Sequence, residues 1–94
     1  MTNIQTQTET KSSYNGWTNY ATWRIALEWF DDNNPYKYEP DVYDLSQLLR
    51  NYVEEGLEAM VNENRNLALD YALAFTSEVN WYEIAQHLIE DQNN

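Results

Sequence analysis

One stretch of the sequence places three side chains capable of metal or acid–base chemistry at helical spacing. His87 is the only histidine, Glu83 precedes it by four residues, and Asp91 follows it by four. Residues four apart are neighbours on a helix face, so a three-ligand metal site can be drawn. One histidine with two flexible carboxylates on one helix is a weak ligand set. Ion pairing or plain exposure of His87 is the preferred interpretation, and we predict no metal.

Other catalytic arrangements have equally little support. The chain has no cysteine, which excludes a thiolate nucleophile and a thiolate metal site. Its two glycines, Gly16 and Gly56, do not form a phosphate-binding loop. Neighbouring carboxylates such as Asp31 and Asp32 suit acid–base work in principle, but in so acidic a chain such pairs arise by chance. We predict that the protein is not an enzyme and uses no cofactor.

The charge balance excludes further classes of function. Lysine and arginine total 5 and aspartate and glutamate 16, giving a net charge of -11. Proteins that grip nucleic-acid phosphates need a cationic surface, so direct nucleic-acid binding is not expected. No apolar run approaches the roughly 20 residues of a membrane span, and residues 1–13 lack the pattern of a signal peptide. We therefore predict a cytoplasmic protein.

The hydrophobic content favours a folded chain over an acidic disordered one. Hydrophobic residues make up 43% and aromatic residues 15% of the sequence, and large aromatic side chains are usually packed. Residues 1–13 are polar and predict a flexible tail, which leaves residues 14–94 as a single acidic helical domain. Apolar periodicity in that domain predicts an all-α fold, a small bundle of about four helices.

The first helix is predicted to follow a turn at Asn15-Gly16 and to begin at Thr18 or Asn19 as N-cap. Its apolar stripe at spacings of three, four and three residues predicts the buried face: Tyr20, Trp23, Leu27 and Phe30. Ile25 and Trp29 lie off that stripe and predict a second apolar face, used by a neighbouring helix or by a partner. Pro35 and the acidic residues before it predict the end of this helix.

The second helix is predicted to start at Asp41 as N-cap and carries the clearest two-sided pattern. One broad arc is apolar: Val42, Leu45, Leu48, Leu49, Tyr52, Val53 and Met60. The opposite arc is acidic: Asp41, Asp44, Glu54, Glu55 and Glu58. Gly56 interrupts the pattern, where glycine costs roughly 1 kcal/mol relative to alanine. It predicts either a kink or a close approach between helices.

Two more helices complete the predicted bundle. The third, from near Asn66 to Thr76, is apolar almost all round, which is typical of a central helix. The fourth is predicted to begin at Asn80, with Glu83 closing a capping box. Its predicted buried residues are Trp81, Ile84, Ala85 and Leu88, with Ile89 widening the stripe.

The acidic arc of the second helix has two interpretations. Residues 41–94 contain eleven acidic residues against Arg50 and Arg65, so most of the net charge lies there. A solvated surface that serves only solubility explains this charge. Mimicry of a row of nucleic-acid phosphates is the more specific alternative and predicts a cationic partner.

The aromatic residues are candidates for binding anchors as well as for the core. Trp17, Trp23 and Trp29 recur every six residues, which is not one helical face, so at least one should point away from the main core. Trp29 and the pair Tyr36 and Tyr38 are the candidate anchors, since Trp and Tyr are frequent interface hot spots. Packing of Trp17 at the helix start and of Trp29 under the following loop is the structural alternative.

The segment Asn15-Gly16-Trp17-Thr18-Asn19-Tyr20-Ala21-Thr22-Trp23 resembles the opening of a group of small proteins from phages and other mobile elements. Their pattern is N-G-W-T-N-Y-x-T-W, followed by an apolar helix and an acidic stretch. The similarity covers about twenty residues and implies an accessory gene of a phage or plasmid. That context suggests, by analogy of size and charge, the anti-CRISPR and anti-restriction proteins.

Two hypotheses follow. The first is a non-enzymatic anti-defence inhibitor that binds the basic groove of a host nuclease or CRISPR effector subunit. One form of this hypothesis is that the protein mimics DNA. Its predicted partner-binding residues are Asp41, Asp44, Glu54, Glu55, Glu58, Trp29 and Tyr36. The alternative is a small homodimeric accessory or regulatory protein of a phage, whose acidity serves only solubility.

Overall fold

A computed structural model describes residues 14–31, 33–60 and 67–92. It contains four helices, α1 (Tyr20–Phe30), α2 (Val42–Met60), α3 (Leu67–Thr76) and α4 (Trp81–Gln92), and no strand in these ranges. The predicted all-α bundle is therefore confirmed. The predicted flexible tail, residues 1–13, lies outside the described residues.

A tight turn precedes α1, as the Asn15-Gly16 pair predicts. Asn15 has φ 50° and Gly16 has φ 88°. Two positive φ angles in sequence are typical of a type I′ turn, which asparagine and glycine adopt most readily. Tyr14 and Trp17 exchange backbone hydrogen bonds across it, at 3.1 and 2.8 Å. The turn therefore fixes the position of Trp17 beside the bundle.

Side-chain caps start the helices at predicted positions. Asn19 Oδ1 accepts a hydrogen bond from the backbone N–H of Thr22 at 2.9 Å, which caps α1. Asp41 Oδ2 accepts from the N–H of Asp44 at 2.8 Å at the start of α2. Asn80 Oδ1 accepts from the N–H of Glu83 at 3.1 Å at the start of α4. Each cap satisfies a donor that the helix itself leaves unpaired.

The buried face of α1 differs from the predicted one. Of the predicted stripe only Phe30 is buried, at 2% exposed, while Tyr20 is 41% and Leu27 47% exposed. Ile25, from the second apolar face that the sequence predicts, is 4% exposed. Small side chains make up most of the rest of the buried face, and they allow α1 to approach its neighbours: Ala21, Thr22 and Ala26. Three aromatic side chains at the start of α1 form a partly exposed group instead, since Tyr14 lies 5.1 Å from Tyr20 and 5.0 Å from Trp23, ring centroid to ring centroid.

The centre of the bundle lies between α2 and α4, which make the most extensive helix pairing. Leu45, Leu49 and Val53 of α2 are fully buried, as are Ile84 and Ala85 of α4 to within 1%. These residues belong to the predicted apolar arcs of both helices. Packing of two apolar faces is what makes short helices stable in water.

Gly56 makes room for the Trp29 ring of α1 against α2, and α2 continues through it to Met60. A Cβ atom at this position would lie 2.9 Å from Cη2 and 3.0 Å from Cζ3 of Trp29. Of the two alternatives that the sequence left open, the structure shows a close approach, made by the Trp29 side chain to α2 and not by the two helix backbones.

The third helix is peripheral, and its predicted central position was wrong. Only Leu69 and Thr76 of α3 are buried, while Leu67 is 64% and Tyr71 68% exposed. A helix that is apolar all round has no pattern that selects a face. The α2–α4 pair occupies the centre, so α3 packs with one side against α1 and α2.

None of these four helices is both long and apolar enough to cross a bilayer; this finding covers only the described residues.

Candidate partner-binding surface

The acidic face of α2 points away from the core. Asp44, Glu55 and Glu58 are exposed, with exposed Gln47 and Asn51 between them. We call the outward side of α2, residues 41–58, the acidic face. Since the helix turns 100° per residue, these positions fall on the opposite side from the fully buried arc of Leu45, Leu49 and Val53.

Two of the five predicted acidic residues also have local structural partners. Glu54 Oε2 lies 3.0 Å from Nε of Arg50, one turn earlier, and Glu54 is half-buried. Asp41 caps α2, and its own N–H donates to Glu39 Oε2 at 3.1 Å. Asp44, Glu55 and Glu58 therefore supply most of the outward negative charge.

The spacing of the carboxylates on this face determines how closely it resembles a row of nucleic-acid phosphates. From Asp41 to Glu58 the helix rises about 26 Å at 1.5 Å per residue. A DNA duplex of that length carries about 15 charges, one per 1.7 Å of axis. Five carboxylates are a sparse version of that row. The face attracts lysine and arginine side chains, but its charge alone does not reproduce the density of a duplex.

An aromatic cluster lies beside the acidic face. We call Trp29, Tyr52, Tyr36 and Tyr38 the aromatic row, because each ring contacts the next. The centroid distances are 6.1 Å from Trp29 to Tyr52, 6.0 Å from Tyr52 to Tyr36 and 6.3 Å from Tyr36 to Tyr38. All three pairs are nearly perpendicular, the edge-to-face geometry that aromatic rings prefer.

Electrostatics connects the aromatic row to the acidic face. Burial raises the pKa of the Tyr36 phenol above its ordinary value, and the neighbouring Tyr38, Glu55 and Tyr52 raise it further. Both causes disfavour the phenolate. The structure therefore brings three predicted binding residues, Trp29, Tyr36 and Glu55, into one region.

Tyr52 is the member of this region that the sequence did not indicate as a binding residue. It belongs to the predicted apolar arc of α2 but is 38% exposed. At 100° per residue it stands at the boundary between the apolar and acidic arcs, and this boundary position is the signal that could have identified it. Trp29, by contrast, is half-buried, with its ring against Gly56.

Comparison with protein families matches residues 10–93 to a family of unknown function, DUF7249. The chain belongs to this family. No curated protein and no solved structure shows significant similarity to it. The family description names no activity, so the interpretation of the surface depends on its geometry.

In this DUF7249 member, His87 belongs to a different region from the acidic face. Its ring stacks on Trp17, with centroids 4.2 Å apart and planes 28° apart. Glu83, the candidate second ligand, accepts a hydrogen bond from the N–H of Thr18 at 3.0 Å. Within the described ranges, no three His, Asp or Glu side chains are grouped so that they could hold a metal ion.

The N-G-W-T-N-Y-x-T-W segment connects the start of α1 to the start of α4. The Asn80 N–H donates to Thr22 Oγ1 at 2.8 Å, and Asn19 Nδ2 donates to the Glu78 carbonyl at 2.9 Å. The predicted capping box forms only in part, since Glu83 bonds Thr18 instead of the Asn80 N–H. The segment thus has a structural task, and its arrangement does not by itself indicate a binding site.

Proposed function

We propose that this protein is a non-enzymatic anti-defence inhibitor that binds the basic, nucleic-acid-binding surface of a host nuclease or CRISPR effector. The observation that carries the proposal is the acidic face of α2, which presents Asp44, Glu55 and Glu58 outward along a rigid helix. In this proposal the protein acts in the cytoplasm of its bacterial host. The resemblance of residues 15–23 to phage and mobile-element proteins supports the genetic context.

The electrostatics favours binding through this face. The chain carries a net charge of -11, so it is drawn toward cationic surfaces and association is accelerated. Like charges along one helix cost a few tenths of a kcal/mol per neighbouring pair. Partner lysines and arginines would remove that repulsion on binding. The attraction would weaken as salt screens it, with a Debye length of about 10 Å at 0.1 M.

The aromatic row supplies the apolar part of the same surface. Tyr38 is 75% exposed and lies next to Tyr36, on the side of the molecule that carries Glu55. Exposed aromatic side chains beside charged residues are typical of interface hot spots. Sparse charge and aromatic contact together would give a complex that is more specific than charge alone provides.

Capture from a lysate is the first test. Tagged protein is exposed to lysate of a bacterial host at low and at high salt, and the captured proteins are identified by mass spectrometry. We expect a nuclease or CRISPR effector subunit that is released by high salt and by duplex DNA. Purified partner and inhibitor are then combined in a cleavage assay. Capture that is indifferent to salt and DNA, with no inhibition, would contradict the proposal.

Charge reversal then tests which surface binds. The double variant Asp44→Lys with Glu58→Lys changes the acidic face, and Glu78→Lys with Glu90→Lys makes the same charge change elsewhere on the exposed surface. We expect the first variant to lose capture and inhibition at least tenfold and the second to keep most of both. Circular dichroism confirms that both fold. Equal losses in the two variants would show that only net charge matters, and would exclude this face.

One observation favours the alternative, a dimeric accessory protein. Large apolar side chains are exposed at the end of α2 and on α3, with Met60 at 68%, Leu67 at 64% and Tyr71 at 68%. Asp70 is the one charged residue between Leu67 and Thr76, so two acidic copies could meet there with little repulsion. Light scattering during a salt titration separates the hypotheses. A dimer that is insensitive to salt and has no cationic partner would favour the alternative.

A further inference from the structure

The aromatic row ends in a group of three tyrosines with a defined shape. The Tyr36 ring is perpendicular to the rings of both neighbours, at 84° to Tyr38 and 86° to Tyr52. Tyr36 itself packs against the hydrophobic core, which fixes its position. Tyr38 and Tyr52 are 75% and 38% exposed. The group therefore presents two exposed tyrosine rings, each set edge-to-face against one anchored ring.

A carboxylate borders these rings. Glu55 follows Tyr52 by three residues on α2, so the two side chains are neighbours on the helix surface. Glu55 is close enough to Tyr36 to act on it electrostatically. Aromatic faces and a carboxylate have the same preference, since both attract a cation.

The chain contains a filled example of this combination elsewhere. Arg24 donates to Glu28 Oε2 at 2.6 Å and to the Tyr20 hydroxyl at 2.7 Å. Its guanidinium carbon lies 5.9 Å from the centroid of the Tyr20 ring. A tyrosine and a glutamate thus hold one arginine between them on α1. Tyr36, Tyr38, Tyr52 and Glu55 offer the same groups.

Among the residues that the structure describes, the cations nearest in sequence to these tyrosines are directed elsewhere. Arg50 pairs with Glu54 on α2. Lys37, which stands between Tyr36 and Tyr38 in sequence, lines a groove with Asn33, Asp91 and Gln92. Neither side chain is therefore placed as Arg24 is placed beside Tyr20.

We propose that Tyr36, Tyr38, Tyr52 and Glu55 form a subsite for an arginine side chain of the partner protein. The inference rests on the proposed function, since it specifies how a cationic partner is recognised. Arginine fits this subsite better than lysine does. Its planar guanidinium stacks on aromatic rings and donates to a carboxylate at the same time, whereas the lysine ammonium is compact and strongly hydrated.

Peptides of nine arginines and of nine lysines, each with a fluorescent label, test the subsite by anisotropy at several salt concentrations. We expect the full chain to prefer the arginine peptide by about twofold to fivefold, the effect of one exposed cation–π contact. Tyr38→Leu and Glu55→Gln should each remove most of this preference. Tyr82→Leu and Glu90→Gln, at exposed positions of α4, are the matched controls and should retain it.

Two outcomes separate the subsite from the proposed function. If Tyr38→Leu and Glu55→Gln behave like their controls, while Asp44→Asn with Glu58→Gln weakens both peptides in a salt-dependent way, the subsite is wrong and the acidic face stands. If the tyrosine and glutamate variants remove the arginine preference, while the acidic-face variant changes nothing, the subsite stands and the proposed function loses its support. On titration with the arginine peptide we expect chemical-shift changes of the Tyr36, Tyr38 and Tyr52 rings, and unchanged shifts would contradict the subsite.

Discussion

At the residue scale, Thr22 shows how one buried hydroxyl joins two helix starts. The side chain is fully buried. Its Oγ1 donates to Asn19 Oδ1 at 2.7 Å and accepts from the Asn80 N–H at 2.8 Å. The first bond belongs to the cap of α1 and the second to the entrance of α4. One hydroxyl therefore supports the relative position of two elements separated by 58 residues in sequence.

Replacement of this hydroxyl should be costly. Thr22→Val keeps the shape of the side chain but deprives the Asn80 N–H of its partner in a part-buried bond, which costs about 1 kcal/mol, the low end of the range for an unsatisfied buried donor. We expect the free energy of unfolding to fall by that amount in urea denaturation followed by tryptophan fluorescence. Thr18→Val removes an exposed acceptor of Asn80 Nδ2, which water can replace. Similar losses in the two variants would contradict the assigned role of Thr22.

The contact between Gly56 and Trp29 predicts a second coupling at this scale. Gly56→Ala gains about 1 kcal/mol of helix propensity, but its Cβ would lie 2.9 Å from the indole, and such overpacking costs about 1–3 kcal/mol. We expect a net loss of about 1 kcal/mol in the natural sequence. In a Trp29→Leu background, whose side chain is shorter than the indole, the same change should stabilise by about 1 kcal/mol. Stabilisation in both backgrounds, by chemical denaturation, would show that Trp29 tolerates the methyl group.

At the element scale, the contrast between the two faces of a helix determined which predictions succeeded. The second helix has an apolar arc and a polar, largely acidic arc, so the burial of Leu45, Leu49 and Val53 followed from the sequence. Tyr52 and Met60 of the predicted apolar arc are nevertheless exposed. The first helix was oriented incorrectly, because Tyr20 and Leu27 were given more weight than Ala21 and Ala26. Small residues define that interface, since they allow the helices to approach closely. The third helix offered no contrast, and the α2–α4 pairing that displaces it is a tertiary property.

The peripheral position of α3 predicts unequal costs along its length. Leu69 is 2% exposed, so Leu69→Ala should lower the free energy of unfolding by about 2–4 kcal/mol. Leu67→Ala and Tyr71→Ala should change it by no more than about 0.5 kcal/mol at low protein concentration. Thermal and urea denaturation measure all three variants. Comparable losses in all three variants would contradict the peripheral position of α3 and support the central position that its composition predicts. Losses at positions 67 and 71 that grow with protein concentration would indicate a dimer through this face.

At the scale of the whole molecule, only the acidic part of the candidate surface could be predicted from the sequence. The acidic residues of α2 could be located because helical spacing places them on one arc. The aromatic row could not, because Tyr36 and Tyr52 belong to different elements and meet only through folding. Trp29 was predicted to be a binding anchor or to pack under the loop after α1, and the structure places its ring against Gly56 of α2. Long-range neighbours such as these do not follow from periodicity.

The same charge that is proposed for binding should limit the stability of the molecule alone. With a net charge of -11, carboxylates repel one another in the compact state, and salt should screen that repulsion. We expect the free energy of unfolding to rise by about 1 kcal/mol between 0.05 and 0.5 M sodium chloride. Glu55→Lys with Glu58→Lys changes the net charge from -11 to -7, since each substitution adds two positive units. This variant should be more stable at low salt and respond less to added salt. Equal salt responses of the two proteins would mean that the carboxylates of the acidic face do not repel one another measurably. A partner would then gain nothing by neutralising them.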